Sequence, residues 1–269
     1  MPELSLKSEG ILTYSFPCRR PLVYLDNCGL ILLEKDISLL ADLVSAVAKN
    51  GTLAVSIMNL VEFSASSPDS LMKIKNVIAG VGQHWIPIES TPGAVSDREL
   101  CPGENEVWFD ISFLKEFRHF IDATTMSIAP IFDAVAEKEY QDSITPRRIA
   151  VSDDIVRFLT KARAQWKANP RLQGKAFDVS AVANNRRAYI TNGKILELIC
   201  KQDFPITRNH AMDYFHSVVP LAYCDYIVLD GHWASIGTQC HLSWNPRIYR
   251  PTEVRELIQA IGDYQDHAE

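Results

Sequence analysis

Apolar positions along this chain form two kinds of run, and their alternation sets the expected architecture. Leu22–Leu25, Leu53–Val55, His84–Ile88 and Tyr226–Leu229 are short, mostly β-branched, aromatic or aliphatic, and do not alternate with polar residues. These runs read as strands, with Tyr226–Leu229 the one that looks covered on both faces. Between them the spacing turns helical. Asp36 is a plausible N-cap for Ile37, Leu40, Leu43, Val44 and Val47, and Asn50-Gly51 is the stop. Met58, Leu60, Val61 and Phe63 continue from the second strand into a helix that carries Glu62, and Pro68-Asp69 open another reaching Ala79. Gly10–Phe16 reads as an edge strand ended by Pro17. The order β, α, β, α, β over the first part of the chain predicts an α/β fold with a parallel sheet.

Thr91–Asn105 has no periodicity and holds Pro92, Gly93, Pro102 and Gly103, so it reads as a surface loop with the makings of a hinge or lid. From Phe109 to Gln202 the pattern is helical, with candidates at Ile111–Ile121, Ile128–Tyr140, Asp154–Ala168 and Val179–Cys200. Ala211–Val219 reads as the helix that precedes the strand at Tyr226. A short helix to about Thr238, a strand over His241–Ile248 interrupted at Pro246, and a helix over Thr252–Tyr264 close the chain. The expected organisation is an α/β core from residues 1–90 and 206–269, with a loop and large helical insertion at 91–205.

The chain has 269 residues, 47% of them hydrophobic, enough for a large core in one elaborated domain or two small ones. A net charge of −6 gives no global attraction to nucleic acid or anionic membrane, so any basic surface is local. The six cysteines form no C-x-x-C pair and no zinc spacing, which fits reduced thiols and a cytoplasmic location. No apolar h-region opens the chain and no stretch is long enough for a membrane span, so neither export nor a membrane partner is expected.

Candidate chemistry lies in the acids at element boundaries. Asp26 follows the first buried strand, Glu62 sits in the helix after the second, Asp213 lies in the helix before the last buried strand, and Asp230 ends that strand. Right-handed crossovers in a parallel sheet would gather strand ends on one edge, where open sheets bind their ligands. Clustered carboxylates repel unless a cation offsets them, and their hard oxygens suit Mg²⁺ or Mn²⁺. Such ions activate water and stabilise a leaving phosphate oxygen. Taken singly, each acid also fits a structural role: Asp26 and Asp230 as loop caps, Asp213 as a helix start, Glu62 as partner of a Lys or Arg.

The segments VYLDNCGLILL, IMNLVEFS, AMDYFHSVVPLAYCDYIVLDGHW and RIYRPTEVRELIQAI, in that order, resemble the PIN-domain family of metal-dependent ribonucleases. The resemblance spans roughly the first ninety and last sixty residues. It implies a three-layer PIN-like domain whose catalytic, metal-binding acids are Asp26, Glu62, Asp213 and Asp230, with Asp225 a fifth candidate ligand or a turn cap. It further implies an endoribonuclease that hydrolyses RNA phosphodiester bonds with Mg²⁺ or Mn²⁺. Family members that act as toxins or defence effectors add a neutralising or assembly protein, and a homo-oligomer, to the partners to be considered. The chain reads Asn27, Cys28 and Val228 where the family often has Thr, Asn or Ser around its acids, so the groups orienting the ligands differ here.

Outside these segments, Val156–Phe177 carries Arg157, Lys161, Arg163, Lys167, Arg171 and Lys175 without an acid. It is either a phosphate-contacting helix, with Trp166 stacking on a base, or a solvated helix face. Asn184, Asn185, Arg186 and Arg187 pose the same choice. Arg163, Lys167, Arg186 and Arg187 are the candidate substrate contacts. His216, one turn after Asp213, is either a proton-handling group beside the acids or a buried structural histidine. Nucleotide-loop and serine-hydrolase motifs are missing from the sequence. Two rival readings follow: a catalytically inactive PIN-like module that binds RNA or protein, and a small-molecule phosphoesterase, which needs an enclosed pocket.

Overall fold

A computed structural model describes residues 3–7, 13–63, 67–101, 106–121, 127–173, 177, 182–183 and 185–264. In chain order, β1 (Glu3–Lys7) and β2 (Thr13–Pro17) form an antiparallel hairpin of their own. The expected edge strand is therefore not part of the main sheet, and its first residues, 10–12, lie outside the described residues. The α/β core follows with β3 (Leu22–Leu25), α1 (Asn27–Glu34), α2 (Ile37–Asn50), β4 (Thr52–Ser56), α3 (Ile57–Phe63), α4 (Pro68–Ile78) and β5 (Trp85–Ile88). The insertion holds α5 (Pro92–Arg98), α6 (Ile111–Phe117), α7 (Ala129–Ala136), α8 (Lys138–Ala168), α9 (Pro170–Gln173) and α10 (Arg187–Lys201). The chain closes with α11 (Arg208–Tyr223), β6 (Tyr226–Val228), α12 (Gly231–Gln239), β7 (Arg247–Tyr249) and α13 (Val254–Gly262).

The central sheet has the order β5-β4-β3-β6-β7, and every pairing is parallel. All residues of β3, β4, β5 and β6 are buried, as runs without alternation require. Right-handed steps from β3 to β4 to β5 put α2 and α4 on one face, where α13 packs on α2. The step from β6 to β7 goes the other way across the sheet through α12, which packs with α11, the helix leading into β6, on the opposite face, where α10, α8 and α5 also pack on α11. The result is a three-layer α/β fold. The insertion shares its core: Trp85 of β5 lies 5.9 Å from Phe113 of α6, and Phe63 of α3 lies 5.6 Å from Phe132 of α7.

Several expected boundaries shift for local reasons. Asp36 caps α2 by accepting from the Leu39 N–H at 3.1 Å. Gly51 then stops it, where a Cβ would come within 2.7 Å of the Pro21 carbonyl oxygen. The Thr91–Asn105 loop contains α5, which starts at Pro92, because Pro at a first helical position gives up no bonded N–H; residues 102–105 lie outside the described residues. The expected Ile128–Tyr140 helix breaks at Glu137, ending α7, and α8 then runs from Lys138 through the exposed Pro146 to Ala168, filling the gap expected before Asp154. The last strand shrinks to β7 because His241 and Asn245 take φ of 46° and 50°, a left-handed backbone that no strand accommodates.

Candidate metal and catalytic site

All four acids chosen from the sequence line one cavity of about 510 Å³ at the carboxyl edge of the sheet. Asp26 gets there because β3 runs straight into it: its N–H still donates to the Val228 carbonyl at 3.0 Å, one step past the β3–β6 ladder. The residue is only 4% exposed. The Asn27 N–H donates to its Oδ1 at 2.6 Å and the Cys28 thiol to its Oδ2 at 3.2 Å. Burial, and then the Asp26 carboxylate, push the Cys28 thiol well above its ordinary pKa, so it is no nucleophile.

Glu62 is placed by the turn from β4 into α3. The Ser56 N–H and hydroxyl donate to Asn59 Oδ1 at 2.9 and 3.0 Å, closing the first turn of α3. Asn59 Nδ2 reaches across to the Leu25 carbonyl at 3.1 Å and to Asn27 Oδ1 at 3.2 Å, which locks α3 to the end of β3. Glu62 follows one turn later and accepts from Asn27 Nδ2. An acid among apolar neighbours thus has its reason, and Asn27 and Asn59 supply the orienting bonds.

Asp213 and Asp230 come from the two elements flanking β6. Asp230 caps α12, with Oδ1 accepting from the Trp233 N–H at 2.8 Å, so its structural and site roles coexist. Asp213 faces the cavity from α11. Burial first, then the charges of Asp26 and Asp230, raise its pKa to about 8. Burial likewise raises that of Asp26, with Glu62 adding to it against the opposing pull of His216.

His216 lies beneath the acids, fully buried, one turn from Asp213. Its Nδ1 is 2.5 Å from the Tyr24 hydroxyl and 3.9 Å from Asp26 Oδ1. Its Nε2 is 3.1 Å from Glu62 Oε2, within ion-pair range but not aligned as a hydrogen bond. Burial pulls its pKa down, yet the charges of Glu62, Asp26 and Asp213 win and hold it at about 9. Glu62 in turn is lowered: burial raises it, and His216, Asn27 and Arg148 together overcome that.

Other sequence candidates fall elsewhere. Asp225 is at the opposite, amino end of β6, where Oδ2 accepts from the Leu22 N–H at 2.7 Å and from Arg20 at 2.8 Å. It is the turn cap and not a fifth ligand. Arg163 donates to the carbonyls of Ile199 and Phe204 at 3.1 and 2.6 Å, and Lys167 pairs with Asp203. Arg157 pairs with Asp154. Arg186 sits 4.1 Å from the Tyr189 ring centre, and Arg187 sits 5.5 Å from that of Trp244. None of these cations lines the acidic cavity. Lys175 and Asn184 lie outside the described residues.

The cation that does line it is Arg148 of α8, together with His210 and His232. Arg148 lies between the helices expected at Ile128–Tyr140 and Asp154–Ala168, in a stretch the sequence pattern left unassigned and α8 fills. The site therefore brings four carboxylates against Arg148 and His216. One atom each from Asp26, Glu62 and His216 lie within 4.8 Å of one another, a spacing one metal ion can bridge. The excess of carboxylate oxygen fits a divalent cation, with His216 a ligand only once it has given up the proton with which it otherwise offsets the acids. No protein-family model, curated protein or solved structure matches this chain.

Proposed function

We propose that this chain is a PIN-type, Mg²⁺- or Mn²⁺-dependent endoribonuclease that hydrolyses RNA phosphodiester bonds at the carboxyl edge of its sheet. The observation that carries this reading is the convergence of Asp26, Glu62, Asp213 and Asp230, from both ends of the sequence, on one cavity. Mutual repulsion raises Asp213 to about 8 after burial has done its part, so the cluster gains from a divalent ion more than from any side chain around it. Bound there, the ion would supply activated water and charge stabilisation for the leaving oxygen.

The chain's own groups do the rest. Asp26, Asp213 and Asp230 offer ligand oxygens, and Glu62, held by Asn27, offers another. Asn59 ties α3 to β3 and so fixes the distance between Glu62 and Asp26. Arg148 places a guanidinium at the rim, where it can pair with a phosphate. The cavity is half open to the surface, so a polymer strand has access to the acids. The test is cleavage of structured and unstructured RNA with Mg²⁺, Mn²⁺ or chelator, comparing wild type with Asp230→Asn. Metal-dependent cleavage lost in the variant is expected. RNA binding without cleavage under any metal would return the chain to the inactive-module reading.

A further inference from the structure

Three aromatic rings from separate segments meet at the mouth of the acidic cavity. Phe204, in the turn between α10 and α11, has its ring centre 4.8 Å from that of His210 and 4.9 Å from that of His232, at interplanar angles of 68° and 80°. The two imidazoles are 5.8 Å apart, and both line the cavity that holds Asp213 and Asp230. His232 is exposed, while Phe204 and His210 are half-buried. The group is braced from behind. Arg163 lies 4.9 Å from the Phe204 ring centre, fixed by its bonds to Ile199 and Phe204 carbonyls. His210 is fixed by a capping box: Nδ1 accepts from the Thr207 N–H at 3.2 Å.

On the reading of the cavity as a nuclease site, we propose that this rim is a stacking platform for an unpaired base beside the scissile phosphate. The substrate it selects is single-stranded RNA. What aromatic rings offer at the edge of an anionic pocket is a π-surface, and an unpaired base is the part of RNA that has a free face to set against it. In an A-form duplex those faces are already stacked on their neighbours. Edge-to-face packing on Phe204 holds the imidazoles in place before substrate arrives, so little ordering is left for binding to oppose. The role that the basic Val156–Phe177 stretch suggested from sequence thus passes to another part of the chain: Arg163 supports the platform from beneath instead of touching phosphate.

The experiment uses an eight-nucleotide RNA carrying one 2-aminopurine, whose fluorescence is quenched on stacking, added single-stranded or annealed to the full-length protein with Mn²⁺. Binding is read with the Asp230→Asn chain, so that it is measured without cleavage, and cleavage is read with Asp230 in place. The single strand should bind with quenching and the duplex more weakly. Adding His232→Ala should weaken binding roughly 5-fold or more and remove the quench, and His232→Phe should restore both. Unchanged affinity and quenching in His232→Ala, or a duplex bound as tightly as the single strand, would overturn the platform. Quenched binding by a protein that never cleaves sinks the nuclease reading and leaves the platform standing; neither binding nor cleavage sinks both.

Discussion

Two aspartates stand at either end of β6, and the fold treats them oppositely. Asp225, at the amino end, is answered on the spot: one carboxylate oxygen takes both the Leu22 N–H and the Arg20 guanidinium. Asp230, at the carboxyl end, satisfies the α12 cap and then faces the cavity that holds Asp26, Glu62 and Asp213. The amino edge balances its charge internally. The carboxyl edge gathers more negative charge than Arg148 and His216 offset, and a site left unbalanced in this way is one a cation completes. The same residue type at the two ends of one strand therefore separates a role the fold itself accounts for from the one we propose to be functional.

The sharpest way to break that comparison is to neutralise each end in turn. Asp230→Asn keeps the helix cap, because Asn caps as well as Asp, and should cut metal-dependent cleavage by a factor of about 10² or more while far-UV circular dichroism is unchanged. Asp225→Ala should do the reverse. It leaves the Leu22 N–H without its acceptor and the Arg20 guanidinium with only the Tyr223 carbonyl, costing about 2 kcal/mol in urea unfolding, with cleavage per folded molecule retained.

Two smaller effects sharpen the contrast between acids with and without a site. Asp110 caps α6 and is buried near Glu89; burial, then that neighbour, raise its pKa to about 6 from the ordinary 3.8. Between about pH 4 and 6 the unfolded chain gives up this proton while the folded chain keeps it, so stability falls as pH rises through that window. Asp110→Asn keeps the cap and should reduce the fall, by on the order of 1–2 kcal/mol, when urea midpoints at pH 4 and pH 7 are compared with wild type. Arg148→Ala should lower the slope of log affinity for RNA against log salt by about one phosphate contact, whereas Lys167→Ala, at a residue paired with Asp203, should leave it where it is.

How far the sequence revealed this depends on whether a signal was local. Strands β3 to β6 were legible because burial on both faces writes an unbroken apolar run, and the acids at their ends followed from topology. Asp225 was ambiguous because its partner Arg20 is far away in the chain and no pattern links them. The basic stretch stayed open between two readings for the same reason: Arg163 and Lys167 are met by carbonyls of Ile199 and Phe204 and by Asp203, none of them within the stretch. Asn59 is one polar residue among apolar ones, and only its reach to Leu25 and Asn27 shows what it does. His216 could be placed on the Asp213 face, but its depth beneath the acids depended on how α11 packs on the sheet.

The most direct test of the central claim is a calorimetric titration of Mn²⁺ into metal-free protein, run in parallel on wild type, Asp26→Asn and Asp225→Asn. Saturable binding by wild type and Asp225→Asn that is lost or greatly weakened in Asp26→Asn is the predicted result. Absence of saturable binding by wild type at millimolar Mn²⁺, or equal affinity in a folded Asp26→Asn chain, would contradict it.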